Sequence, residues 1–367
     1  MCGIVGLHLL DPALYPQLGT LLTGMLDQMC DRGPDSAGMA VYGDPVWSPP
    51  GTVTVTLLDS PLPAAELAEK LTAAMGMPIT AIDLNPTILL HAEVASLQSA
   101  APSPRQSAAP SSLQDTAPSS LQSVAPSSLQ DATGPSSRRA FWPGSTPAQQ
   151  NASAMQAGTS GGEAEALVQA VRAVAPSARV IGFGPGLAVL KGIGNPTTLA
   201  NGFGLPQAQG WQGVAHTRMA TESAVTAEGS HPFSVGPGQC LVHNGSFSNH
   251  MSIKHELQRA GVEFDSENDT EVGARFVAQQ LAQGADLEKA LLLLNDVFDG
   301  FYTLLVSTSD SFAVVRDAIA CKPAIIAETD RWVAMASEYR ALADLPGVEQ
   351  ARIFEPEPEE VYVWRRS

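Results

Sequence analysis

The stretch Met1-Cys2-Gly3-Ile4-Val5-Gly6-Leu7 decides how the rest of the chain is read. Ile4, Val5 and Leu7 form a short apolar run with the β-branched content of a buried strand, and Cys2 stands at its start. Removal of the initiator Met, expected when the next side chain is small, gives Cys2 a thiol and an α-amine on one residue. Such an amine ordinarily titrates at about 7.7–8.0 and a cysteine thiol at about 8.5, so both exchange protons near neutral pH. A thiolate attacks an acyl carbon and the amine carries a proton to the leaving nitrogen, which is the chemistry of amide cleavage. Gly3 and Gly6 read as room for a substrate against the backbone. Taken alone, these residues fit equally well an ordinary strand that opens on a buried cysteine.

Composition narrows the classes. The 367 residues allow one large domain or two ordinary ones, with a core well beyond marginal size. A net charge of −17, with Lys and Arg totalling 20, argues against a nucleic-acid partner. No apolar run reaches the roughly 18–20 residues that span a bilayer, and the start lacks the pattern of a signal peptide, so the expectation is a cytoplasmic chain with no membrane partner. Cys2, Cys30, Cys240 and Cys321 form no C-x-x-C pair, which argues against a zinc site or a disulfide framework. The last three read as small buried hydrophobes.

From Asp11 to Met29 the apolar spacing is helical, with Asp11-Pro12 as cap and first turn. Arg32-Gly33-Pro34-Asp35-Ser36-Ala37-Gly38 follows as a loop that turns Arg32 and Asp35 back towards the N-terminus, and Met39–Tyr42 resumes a strand. Residues 52–58 predict a strand, 63–75 a helix, and 86–97 a further strand that carries His91 as a core or surface residue. Between 98 and 162 Ser, Ala, Pro and Gln dominate, and Ala-Pro-Ser recurs at 101, 109, 117 and 125. That composition buries too little to offset ordering, so the segment is assigned as a disordered insertion in a domain spanning 2–367. Phe141-Trp142 is its one sticky spot. A helix at 163–175 and a strand at 179–183 follow. Gly182-Phe183-Gly184-Pro185-Gly186 reads as a turn, because it lacks the G-x-G-x-x-G spacing of a nucleotide loop.

The second half concentrates polar residues between short strands. In His216-Thr217-Arg218-Met219-Ala220-Thr221, the Arg218 guanidinium can clamp a carboxylate and the Thr221 hydroxyl can complete the pocket. His231-Pro232-Phe233 makes a rigid corner. In His243-Asn244-Gly245 the asparagine amide and glycine N–H form either an oxyanion hole or a tight turn. Asp269, in Asn268-Asp269-Thr270-Glu271, either caps a helix or binds an ammonium group. A thiol, an oxyanion hole, a carboxylate clamp and an ammonium ligand together specify an α-amino acid with a side-chain amide: glutamine, or less well asparagine.

In order along the chain, Cys2–Gly6, Arg32–Ser36, His216–Arg218, His231–Phe233, His243–Gly245 and Asn268–Glu271 resemble the glutaminase domain of class II, N-terminal-nucleophile glutamine amidotransferases. Asp299-Gly300-Phe301-Tyr302, Arg316-Asp317, Lys322-Pro323 and Ala336-Ser337-Glu338 extend the likeness. The resemblance implies an α+β fold, a four-layer αββα sandwich. It implies Cys2 as nucleophile with its own amine as base, Asn244 and Gly245 at the oxyanion, Arg218 on the α-carboxylate and Asp269 on the α-amine. Met219 stands where some relatives carry an aromatic residue, and the 98–162 segment has no counterpart. The runs 216–224, 315–323 and 337–342 look closest to the stand-alone glutamate-synthase-like subunit, the A subunit of N-methylglutamate synthase. That likeness implies L-glutamine as substrate and separate glutamate-synthase-like partner subunits, one of which carries FMN and an iron–sulfur cluster, with no cofactor on this chain. The alternatives are a non-catalytic assembly or regulatory subunit, and an amidase for another amide.

Overall fold

All seven residues of the strand Gly3–Leu9 are buried, because it lies inside a seven-stranded antiparallel sheet with a layer packed on each face. The computed structural model describes residues 2–100, 160–219 and 225–366. The first half runs β1 (Gly3–Leu9), α1 (Leu18–Asp27), β2 (Ser36–Tyr42), β3 (Thr52–Leu58), α2 (Ala64–Met75), β4 (Ile79–Asp83), β5 (Ile88–Glu93) and α3 (Val94–Ala100). After the low-complexity segment come α4 (Ser160–Val174), β6 (Arg179–Pro185), β7 (Leu187–Ile193), α5 (Pro196–Phe203), β8 (Gln212–Arg218) and β9 (Cys240–Phe247). The chain continues through α6 (His250–Arg259), α7 (Asp269–Ala282), α8 (Leu287–Val297), β10 (Gly300–Ser307) and β11 (Ser311–Arg316). It ends with β12 (Ile325–Glu328), β13 (Trp332–Ala336), β14 (Arg352–Phe354) and β15 (Val361–Arg365).

The large sheet has the order β14-β12-β13-β1-β8-β2-β7, and a second sheet has the order β15-β11-β10-β9. Side chains alternate across a strand, so β1 serves two cores. Val5, Leu7 and Leu9 pack with Leu18, Leu22, Met25 and Leu26 of α1. Ile4 faces the other way and joins Val214, Val242, Leu305 and Phe312 between the two sheets. The outer face of the second sheet carries Leu241, Leu304, Val306 and Val315 against α6, α7 and α8. The architecture is α+β. Gly6 has a packing role rather than the substrate-facing one expected: a Cβ there would lie 2.5 Å from the Leu305 side chain and 2.8 Å from the Phe312 ring. Gly3 likewise closes against Thr217 and Met29.

A third sheet, of order β4-β5-β3-β6, is inserted between β2 and β7 and has its own core of Val53, Val55, Leu57 and Leu90 under Leu67 and Leu71 of α2 and Leu167 and Val171 of α4. Three local expectations change. The strand expected over 86–97 ends at Glu93 and α3 takes its last residues. The helix expected from Asp11 opens as a 3-10 segment, Pro12–Gln17, and becomes α-helical only at Leu18, since Pro16 has no N–H to donate. Asp11 does cap that segment, through Ala13 N at 2.9 Å. The glycine-rich turn at 182–186 is mostly strand: β6 runs to Pro185 and only Gly186 turns the chain into β7. His91 is buried, with Nε2 2.9 Å from the Trp47 carbonyl. Nearly all of the 98–162 segment, including Phe141-Trp142, lies outside the described residues. Among the described residues no helix is long and apolar enough to cross a membrane.

Candidate active site

The site forms where the gap between the two sheets opens beyond the start of β1. In β8, Val214, His216 and Arg218 share a face, and in β9 Cys240, Val242 and Asn244 share one, each face continuing the inter-sheet core. Continuing the alternation of Ile4, Cys2 faces the same gap. Gly3 pairs with Thr217, so Cys2 comes level with Arg218. Two-residue counting thus sends the predicted nucleophile, clamp and oxyanion amide to one mouth.

The backbone of Cys2 is held from both sides. Arg32 Nε donates to the Cys2 carbonyl at 3.0 Å, and Asn244 Nδ2 donates to the same oxygen at 3.3 Å. Arg32 is itself fixed by an ion pair to Glu338, at 2.5 Å. That hydrogen bond, with the charges of Arg32 and Arg340, holds the Glu338 carboxyl below the usual range. The preceding Ser337 bonds Ile4 twice, accepting from Ile4 N through its hydroxyl and donating its own N–H to the Ile4 carbonyl, both at 2.9 Å. The Ala-Ser-Glu run at the end of β13 therefore locks the strand that follows Cys2, a role the sequence reading did not assign. The Cys2 thiol remains half-buried, with Sγ 4.0 Å from the Met219 carbonyl.

Asn244-Gly245 is not a turn. Both residues lie within β9, paired with Thr303 and Tyr302 of β10. Gly245 has φ +148°, and a Cβ there would sit 2.0 Å from the Phe301 carbonyl oxygen. Gly245→Ala should therefore cost about 2–4 kcal/mol through strain and displacement of β10; a denaturant titration that gives less than about 1 kcal/mol would contradict that placement.

Arg218 ends β8, where its carbonyl accepts from Asp35 N at 3.2 Å and the Pro34 backbone pairs beside it. The Arg32–Ser36 loop is thus stitched to the clamp. Thr221 lies outside the described residues. Asp269 opens α7, but the cap is Asn268, whose side chain accepts from Thr270 N at 2.9 Å. That frees the Asp269 carboxylate to turn towards β9, where Oδ2 accepts from Phe247 N at 2.9 Å. Asp269 is consequently anchored to the strand that carries Asn244 and Gly245.

The three motif histidines also converge. His216 stacks on His231 with centroids 4.3 Å apart, His231 lies parallel to His243 at 6.2 Å, and His243 stacks on Phe247 at 4.4 Å. All three are buried. Burial, reinforced by neighbouring positive charge, lowers His216 to about 3 and places His231 well below the ordinary value. Burial also lowers His243, with Asp269 opposing the shift. The rings are neutral at working pH. For two of them the sequence signal was position: His216 shares a face with Arg218 and His243 precedes Asn244.

A model of the glutamine amidotransferase domain matches residues 203–356. The chain is 40% identical over 366 residues to the glutamine amidotransferase-like protein GlxB of Rhizobium meliloti (strain 1021), covering 99% of this chain and 98% of that one. It is 34% identical over 158 residues to the glutamine–fructose-6-phosphate aminotransferase of Thermus thermophilus, covering 43% of this chain and 26% of the relative. Among solved structures, the glutamine phosphoribosylpyrophosphate amidotransferase from B. subtilis aligns with a TM-score of 0.41 and 26% identity over 49% of this chain and 40% of that one.

Proposed function

The chain belongs to the class II glutamine amidotransferases, and from that premise we propose that it is a glutaminase subunit that supplies ammonia to a separate glutamate-synthase-like chain. The observation that carries this reading is the clamp on Cys2, where Arg32 and Asn244 reach one backbone oxygen from 30 and 242 residues away. On this reading the two facing sheets with helices outside them form the four-layer αββα sandwich, and the subunit works in the reducing cytoplasm, where a free thiol persists.

With Met1 removed, the Cys2 thiolate attacks the glutamine carboxamide carbon. The C=O electron pair moves onto oxygen, where the Asn244 amide and Gly245 N–H stabilise it. The C–N bond then breaks, ammonia leaves with a proton delivered by the Cys2 α-amine, and a γ-glutamyl thioester remains. Water attacks the thioester, glutamate departs and the thiol is restored. Arg218 takes the α-carboxylate and Asp269 the α-ammonium, with Thr221 assigned to complete the pocket. The acceptor subunit proposed is of the N-methylglutamate synthase type, with FMN and an iron–sulfur cluster on that partner. The similar runs at 216–224, 315–323 and 337–342 support this assignment.

The test is release of glutamate and ammonia from L-glutamine by the purified chain, alone and with the candidate synthase chain. Glutamine left intact under both conditions would remove the reading. Arg218→Ala gives a second measurement. Loss of a charged hydrogen bond is worth about 1.5–3 kcal/mol, so KM for glutamine should rise roughly 10- to 150-fold with a smaller change in kcat. An unchanged KM would move the carboxylate clamp elsewhere.

A further inference from the structure

Thr270 stands at the meeting point of the site's least explained residues. Its N–H is taken by the Asn268 cap, and its buried hydroxyl points inward. Oγ1 lies 2.9 Å from His243 Nδ1, 3.1 Å from His231 Nε2 and 3.3 Å from Asp269 Oδ1. The protons in this cluster can be assigned. His231 Nδ1 accepts from the His243 backbone N–H at 3.2 Å, so the neutral His231 ring carries its proton on Nε2 and donates it to Thr270. The single threonine proton then has two acceptors to choose between, and donation to the anionic carboxylate makes the stronger bond. His243, with its proton on Nδ1, fills the remaining lone pair of the hydroxyl. Two imidazole donors thus enter Thr270 and one donor leaves it for Asp269.

We propose that Thr270, backed by His231 and His243, is the positioning residue that fixes Asp269 for recognition of a substrate α-ammonium group. The proposal rests on the glutamine reading above and deepens it. Phe247 N holds one carboxylate oxygen and Thr270 Oγ1 the other, so the carboxylate plane cannot rotate. The carboxylate is not sealed off, because the Asp269 side chain keeps 22% of its exposure. A free carboxylate at a helix start would sample several rotamers and discriminate poorly. A fixed one rejects a ligand that lacks the ammonium, because the buried polar partners then go unmatched.

The test compares binding of L-glutamine with binding of glutaramate, the same molecule without its α-amine, by calorimetry on chains carrying Cys2→Ala so that neither is consumed. The parent chain should prefer glutamine at least tenfold, and Asp269→Ala should erase that preference. Thr270→Val should reduce it at least tenfold while glutaramate affinity changes less than threefold, and Thr270→Ser, which keeps the hydroxyl, should restore it. Should Thr270→Val fail to accumulate, Thr270→Cys, compared with Thr270→Ser, exchanges only the hydroxyl for a weakly hydrogen-bonding thiol and should show the same loss. Equal losses for both ligands, or an unchanged preference in Thr270→Val or Thr270→Cys, overturn the proposal alone, provided Asp269→Ala abolishes the preference. A preference that survives Asp269→Ala, or a parent chain that binds no glutamine, overturns the glutamine reading of Asp269 and the proposal with it.

Discussion

Cys2→Ala should reduce glutamine hydrolysis to background, a loss on the order of 10⁴–10⁶-fold by comparison with removal of other enzyme nucleophiles. The substitution removes only Sγ. The bonds that seat the residue run to its backbone carbonyl, from Arg32 and Asn244, and alanine keeps that oxygen. Ser337 holds the next residue through the Ile4 backbone, which is also untouched. The thiol itself makes one long contact, 4.0 Å to the Met219 carbonyl. Folding should therefore survive, and thermal melts of the two chains should coincide while activity does not. The proposed base adds a second requirement: only a chain whose first residue is Cys2 has a free amine there, so the mass of every active preparation should lack Met1. Activity that persists in Cys2→Ala, or in a preparation that wholly retains Met1, would remove the covalent mechanism.

The same contacts show what sequence could and could not give. Cys2 could be singled out only together with the distant motifs, since the run after it fits a buried cysteine equally well; β1 does lie buried on both faces. Arg218, Asn244 and Asp269 were legible because each is a polar residue at the edge of an apolar strand or helix. The ion pair between Arg32 and Glu338 was not, since it spans 306 residues and the two motifs that hold its partners do not show that they meet. Asn244-Gly245 left a turn open beside the oxyanion hole because that dipeptide favours one. Only the pairing with β10 shows that the positive φ of Gly245 is spent on close approach of two strands. Three strands of the third sheet were expected and the fourth was missed: β4, with residues of mixed exposure from Ile79 to Asp83, carries too short an alternating pattern to stand out. Val94–Leu97 continue the apolar run of the strand, yet they open α3, as the helix-forming Ala95 and Leu97 allow.

The histidine stack gives the second large effect, which concerns stability. His216, His231 and His243 are held neutral in the fold, each below its ordinary value of 6.5 because burial penalises the charged ring. Arg218, Lys191 and Lys322 oppose protonation further, and Asp269 beside His243 partly favours it. In the unfolded chain the same rings take up protons as the pH falls through about 6.5. Below that value the unfolded state binds more protons, so stability is full above about pH 6.5 and is lost as the pH falls from there towards the folded value, about 3 for His216. At pH 5 the loss should be about 2 kcal/mol for each ring and about 6 kcal/mol for the three, against a total stability of about 5–15 kcal/mol for a native protein. Urea titrations at pH 7.5, 6.0 and 5.0 should show this fall. His216→Phe isolates the cause: neither His216 ring nitrogen has a hydrogen-bond partner among the described residues, so the change removes a titrating group and no hydrogen bond, while the stack on His231 is kept. Any steric cost of the larger ring is the same at every pH. The variant's stability should therefore fall less between pH 6.5 and 5 than that of the parent, by about the 1.5–2 kcal/mol of one ring, and parallel pH profiles would place the acid sensitivity outside the stack.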